Sequence, residues 1–185
     1  MDKIICLIGK SGSGKTTVAM KLEDLGYNVI QSYTTRPPRY EGEWGHIFIG
    51  QKGIIAKRLN ERFRSIWTEE SGLIKRDDML AYREMYGYDY FATNEQYIDK
   101  GTSIYIVDPK SALEIRENHS NAYILQLDIS DEVRSERMLT EGRCEEDIKV
   151  RLEKDKNYFG DMVSDFKVNA DKDLDTIINK ILEVI

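Results

Sequence analysis

Apolar residues along this chain fall into short bursts of two alternating kinds. Residues 3–8 (KIICLI) form one continuous apolar run, β-branched and closed by glycine, which predicts a strand covered on both faces. From 15 to 25 the period changes: Val18, Ala19, Leu22 and Leu25 recur at helical spacing and Gly26 supplies the stop. Residues 28–31 (NVIQ), 103–107 (SIYIV) and 122–129 (AYILQLDI) predict three further strands, and helical patterns near 111–117 and 131–140 follow the last two. A charged helix is predicted from 145 to about 158, a last strand at 166–169 (FKVN) and a closing amphipathic helix over 174–185. Strands alternating with helices predict an α/β fold, a parallel sheet with helices on both faces. Between 34 and 93 the rhythm fails: tyrosine, tryptophan and scattered charges replace it, and this segment reads as an inserted lobe.

The turn between the first strand and the first helix carries chemistry. Gly9, Lys10, Ser11, Gly12, Ser13, Gly14, Lys15 and Thr16 match G-x-x-x-x-G-K-[ST] at every fixed position. Glycines let successive amides turn inward onto phosphate oxygens, and the helix N-terminus favours an anion. Lys15 is positioned to reach the β- and γ-phosphates and the Thr16 hydroxyl to ligate Mg²⁺, with Thr17 following in the same turn. The alternative is a glycine- and serine-rich turn capped by a threonine.

Composition narrows the class. The 185 residues are 41% hydrophobic and 32% charged, which fits one soluble domain, or one domain with a small lobe. The two cysteines, Cys6 and Cys144, lie far apart and have no metal-ligand spacing, so they read as reduced thiols of a cytoplasmic protein. No export signal is apparent, and no apolar run approaches the ~20 residues of a membrane span. A net charge of −6 argues against nucleic acid as a partner. Against that acidic background, residues 32–39 (SYTTRPPR) hold two arginines and four hydroxyl residues and no acid. Pro37 and Pro38 stiffen the segment and set the separation of Arg36 and Arg39, whose guanidinium forks suit phosphate. Taken alone, the segment reads equally as a surface turn with two solvated arginines.

The combination of these pieces resembles the guanylate kinase family. The phosphate loop is followed by S-x-x-T-T-R-x-P-R and then Gly42-Glu43; residues 45–48 (GHIF) look like a shortened G-x-D-Y-x-F, and 84–93 (EMYGYDYFAT) like E-x-x-G-N-x-Y-G-T-S. Residues 137–152 look like the family's lid, R-L-x-x-R-x-x-x-x-E-x-x-I-x-x-R-L, and Asp108 ends a strand where the family carries D-x-D. What the resemblance implies is a P-loop kinase with a three-layer core (1–33, 94–130, 160–185), an acceptor-binding lobe (34–93) and a helical lid (about 131–159). Such an enzyme moves the γ-phosphoryl group of MgATP to a nucleoside monophosphate. By the same resemblance, Gly9, Ser11, Gly12, Ser13, Gly14, Lys15, Thr16 and Thr17 hold ATP, and Lys15, Arg137 and Arg151 are catalytic. Ser32, Arg36, Arg39 and Tyr90 hold the acceptor's phosphate and Asp108 lies near its ribose or the magnesium shell; His46, Glu84 and Thr93, at or beside positions that depart from the family, are further acceptor candidates. Arg134 and Arg143 rank lower; for any one lid arginine, an i,i+4 pair on an exposed helix, such as Asp147 with Arg151, is an equal reading.

Departures cluster where the family reads guanine. The glutamate that would accept from guanine N1–H and N2–H₂ is replaced by Ala81, nine residues before Tyr90. Ala92 and Ile106 stand where a small hydroxyl residue and an aspartate belong, and His46 where a tyrosine belongs. Glu84, Asp89 or the Glu69-Glu70 pair are candidate substitutes for the lost carboxylate. The resemblance makes GMP or dGMP the default acceptor; the departures favour another nucleotide or a phosphorylated sugar. A third reading, a non-catalytic binding module, fits poorly with an intact phosphate loop.

Overall fold

The computed structural model describes residues 2–49, 58–59, 62–63, 65–68, 72–160 and 162–185. Glu69 and Glu70, and much of 50–79, fall outside the described residues. The chain divides into two compact units, one made of Met1–Val29 with Gly101–Ile185, the other of Ile30–Lys100.

The first unit is built on a five-stranded sheet. Its strands are β1 (Lys3–Gly9), β2 (Asn28–Ile30), β11 (Thr102–Ile106), β12 (Ala122–Asp128) and β13 (Phe166–Asn169), in the order β13-β12-β1-β11-β2. β1 runs parallel to β11 and to β12, and β12 parallel to β13. The apolar run read from the sequence is therefore the central strand, and Ile4, Ile5, Cys6, Leu7 and Ile8 are at most 1% exposed. Burial pushes the Cys6 thiol up to about 12, with the Asp165 carboxylate adding to it, so this cysteine is a protonated core residue.

Five helices flank the sheet: α1 (Lys15–Asp24), α2 (Pro109–Asn118), α3 (Asp131–Thr140), α4 (Glu145–Phe159) and α5 (Leu174–Leu182). After β1 the chain crosses outward to β2; after β11 it crosses back over β1 to β12. Right-handed crossovers in opposite directions place α1 and α2 on opposite faces. Reversal beside β1 makes the carboxyl end of β1 the switch point, where open α/β sheets bind ligands. Val18, Ala19 and Leu22 are buried as their spacing predicts, but Leu25 is 50% exposed, because α1 ends at Asp24. No described helix is long and apolar enough to cross a membrane.

The second unit is β-rich, which its weak periodicity did not reveal. A four-stranded sheet has the order β4-β3-β10-β9, from β3 (Ser32–Thr34), β4 (His46–Phe48), β9 (Met79–Met85) and β10 (Tyr88–Thr93). Two short antiparallel pairs lie between β4 and β9 in the chain: β5 (Arg58–Leu59) with β6 (Arg62–Phe63), and β7 (Ser65–Thr68) with β8 (Gly72–Lys75). β9 and β10 are joined through Tyr86 and Gly87, both at positive φ (54° and 77°), the conformation a two-residue hairpin needs. One face of the sheet holds a small core: Phe91 stacks on Tyr33 at 5.0 Å, with Met79 and Tyr82 packed alongside.

Candidate active site

The phosphate loop leaves the carboxyl end of β1 and turns directly into α1. Gly12 and Gly14 sit at φ 79° and 82°, a region that favours glycine. A Cβ on Gly12 would lie 3.0 Å from the Arg134 carbonyl oxygen and 3.1 Å from the Arg134 Cβ, so the loop presses against α3 at a spot without room for a side chain. α1 begins without a side-chain cap and without an acid in its first turn. By contrast α2, α3 and α5 are capped by Asp108, Ser130 and Asp173. α4 also lacks a cap, yet its first turn carries Glu145, Glu146 and Asp147. The first amides of α1 are thus oriented for an anion that the chain does not itself place there.

Lys15 folds back over the loop. Its Nζ donates to the carbonyls of Gly9 (2.7 Å) and Lys10 (3.1 Å). Burial of the ammonium lowers its pKa to about 8; the Asp155 carboxylate opposes that shift and the Arg134 guanidinium adds to it. Thr16 and Thr17 are exposed beside it, and Ser13, buried, has a hydroxyl without a hydrogen-bond partner. No cluster of three or more acidic, histidine or cysteine side chains suited to a metal occurs among the described residues. Mg²⁺ bound to a nucleotide needs no such cage, since phosphates and waters supply most of its oxygens, and the exposed Thr16 hydroxyl fits the remaining role.

A cavity of about 480 Å³ opens beside the loop, lined by Gly12, Gly14, Thr17, Arg137, Lys172 and Leu174 among others. Arg137 is half-buried here: its Nη2 donates to the Ala170 carbonyl at 2.8 Å, and its Nη1 lies 3.8 Å from where a Gly14 Cβ would stand. Of the predicted catalytic arginines, Arg137 therefore meets the loop. Arg151 is bonded along its own helix, Nε to Asp147 Oδ2 at 3.0 Å, and Arg143 reaches the same oxygen at 3.5 Å. Arg151 thereby holds the Asp147 carboxyl below the usual range.

Ser32, Arg36, His46 and Tyr90, four of the predicted acceptor residues of the second unit, gather on the sheet face opposite the Phe91 core. Ser32 pairs with His46 and Thr34 with Phe48 in register, and Tyr90 pairs with Thr34, so all five share one face. His46 stands edge-on to Tyr90 (5.7 Å) and to Phe48 (5.9 Å), and the Arg36 guanidinium lies 5.3 Å above the Phe48 ring. Glu43 organises the arginines: its two oxygens take Arg36 Nη1 and Nη2 at 3.1 and 2.8 Å, and it also accepts from the Arg39 amide at 2.7 Å. The Glu43 side chain is 5% exposed and that of Arg36 10%, while Arg39 is 72% exposed. Arg36 holds the Glu43 carboxyl below its ordinary range. Burial, then the Arg36 charge, lowers the His46 pKa, so a neutral imidazole stands in this cluster at neutral pH. Arg36 Nε and His46 Nδ1 are buried atoms without a hydrogen-bond partner among the described residues.

Three predicted acceptor residues are not brought into this cluster. Glu84 pairs with Asp89 and therefore points to the face opposite Tyr90; Asp89 itself is bonded to the Tyr82 hydroxyl at 2.6 Å. Thr93 is buried and caps the following 3-10 turn together with Gln96. Asp108 belongs to the first unit, where its carboxylate caps α2 through the amides of Lys110 and Ser111. Alternation also fixes the altered positions: Ala81 pairs with Ala92, and Arg83 with Tyr90, all on the face that carries Tyr90. The sequence reading passed over Glu43, quoted there only as part of a motif, and ranked Arg134 low. Arg134 is wholly buried, and its place four residues before Met138 on one helix face was the available signal.

No protein-family model matches the chain, and no curated protein matches it by sequence. In three dimensions it is similar to the guanylate kinase from Anaplasma phagocytophilum, with a TM-score of 0.58 and 16% identity over 99% of this chain and 85% of that one. The chain has a guanylate-kinase-like fold.

Proposed function

We propose that the chain is a nucleoside monophosphate kinase of the cytoplasm, moving the γ-phosphoryl group of MgATP to an acceptor phosphate. The observation that carries this reading is the complete phosphate loop, with the Lys15 ammonium held over it and an uncapped α1 behind it. Thr16 would offer its hydroxyl to the Mg²⁺ of bound MgATP, which would supply charge neutralisation at the phosphates. Lys15 offers its ammonium to the β- and γ-phosphates, and Arg137, beside Gly14, adds a second cation to the transferring group. Arg151 joins them once it leaves Asp147, as part of a lid formed by about 131–159. In the lobe, Arg36, held by Glu43, receives the acceptor phosphate with Tyr90, Ser32 and Arg39, and neutral His46 contributes one further hydrogen bond. Catalysis of this kind is mostly positioning and charge stabilisation, which these groups supply.

The family resemblance gives GMP or dGMP as the acceptor. A specific observation favours a second reading: Ala81 and Ala92 face each other across β9 and β10 on the Tyr90 face, with Arg83 beside them. That surface offers no carboxylate at those positions to accept from guanine, and a site lacking its bonding partner loses discrimination. An acceptor whose edge carries oxygen acceptors, or a second phosphate, suits it better. The test is ADP release from MgATP with GMP, dGMP, AMP, CMP, UMP, dTMP or ribose 1,5-bisphosphate, against a no-acceptor control. Preference for GMP or dGMP supports the first reading, and preference for any other acceptor the second. Tight MgATP binding with no turnover on the panel would leave only a binding module.

A further inference from the structure

Helix α4 has fifteen residues, of which Ile148 alone is buried. Two turns beyond Ile148, Asp155 reaches the phosphate loop. Its Oδ2 accepts from the Ser11 amide at 2.9 Å and from Arg134 Nη1 at 2.6 Å. The Arg134 side chain has no exposed surface; its Nε donates to Asp131 Oδ1 at 2.9 Å, and its Nη2 has no partner. Lys10 Nζ stands 3.7 Å from the same Asp131 oxygen. One buried guanidinium is thus held by two carboxylates from two helices, and one of those carboxylates is also seated on an amide of the phosphate loop.

Amides of such a loop are the groups that meet phosphate oxygens. A carboxylate on one of them is an internal anion in a place where a ligand's charge would act. Two anions at one partly buried loop repel each other, and the repulsion grows with the charge at the ligand's inner end. Arg134 can lose Asp155 without being stranded, because Asp131 remains bonded to it.

We propose that Asp155 is a positioning residue that ties α4 to the nucleotide-free loop through Ser11 and yields that amide to the terminal phosphate of a bound triphosphate. The inference rests on the reading of the loop as the MgATP site. It makes α4 respond to a triphosphate and not to a diphosphate, so that the helix is released when the donor, rather than the product ADP, occupies the loop. A permanent structural ion pair would have no such preference.

The test is calorimetric titration of the full chain with MgADP and with the Mg²⁺ complex of the non-hydrolysable β,γ-imido analogue of ATP. Asp155→Asn keeps an oxygen for the Ser11 amide and removes the charge. It is expected to raise affinity for the triphosphate analogue relative to MgADP by about fivefold or more, the lower end of couplings between linked sites. Arg134→Met with Asp155→Ala removes the whole pair without leaving a buried charge alone, and is expected to shift the ratio in the same direction. A ratio unmoved in the double variant overturns the anchor while leaving the kinase reading intact. Failure of the wild-type chain to bind either nucleotide overturns that reading, and the anchor with it.

Discussion

If the loop binds nucleotide as proposed, Lys15 links that binding to pH through a single side chain. Desolvation brings its ammonium to about 8 in the nucleotide-free chain, against 10.5 for an unburied lysine. Between those two values the unfolded chain holds a proton that the folded chain has released, so this group's contribution to stability rises with pH across that window. Affinity for MgATP runs the other way. Phosphates bind the protonated form, so affinity is expected to fall by up to about tenfold per pH unit above 8, with proton uptake on binding. Titration calorimetry at pH 7, 8 and 9 in two buffers of different ionisation enthalpy measures both effects. Lys15→Met is expected to remove the pH slope and abolish phosphoryl transfer while leaving the fold in place; a mutant with wild-type turnover would take the loop out of the mechanism.

At the scale of elements, the pairing of β9 with β10 decides which side chains share the face that carries Tyr90. Ala81→Glu restores a carboxylate on the Tyr90 face, directly opposite Ala92. Steady-state kinetics are expected to show kcat/KM for GMP rising by about tenfold or more, since a buried donor pair gains its acceptor; no change would mean that the base lies elsewhere. The turn between β1 and α1 was legible from sequence because its motif specifies backbone conformation: Gly14, a fixed position of the pattern, occupies positive φ. β1, β11 and β12 were legible because they are largely buried and read as continuous apolar runs. β3 and β4 were not, since three residues are too few to show alternation. Nor was the bond from Arg134 to Asp155, whose partners lie 21 residues apart on different helices and leave no local pattern.

Considered as a whole molecule, the first unit is assembled from two stretches separated by the entire second unit. The sheet neighbours of β1 are β11 and β12, both encoded after Lys100. A chain ended at Lys100 is therefore expected to leave Ile4–Ile8 without partners: it should bind a hydrophobic dye strongly or precipitate, and fail to protect those amides from hydrogen exchange. Protected amides in a soluble 1–100 fragment would show that β1 folds without its neighbours. The same ordering bears on how the protein is made. At translation rates of about 5–20 residues per second, the first strand waits roughly 5–20 s for the strands that cover it. During that interval a run of β-branched residues emerges first and pairs last, the kind of segment that recruits other chains. Charges at Asp2, Lys3 and Lys10 bracket the run as gatekeepers. The strand at the centre of the finished sheet is thus, on the ribosome, among the first segments made and the last to be covered.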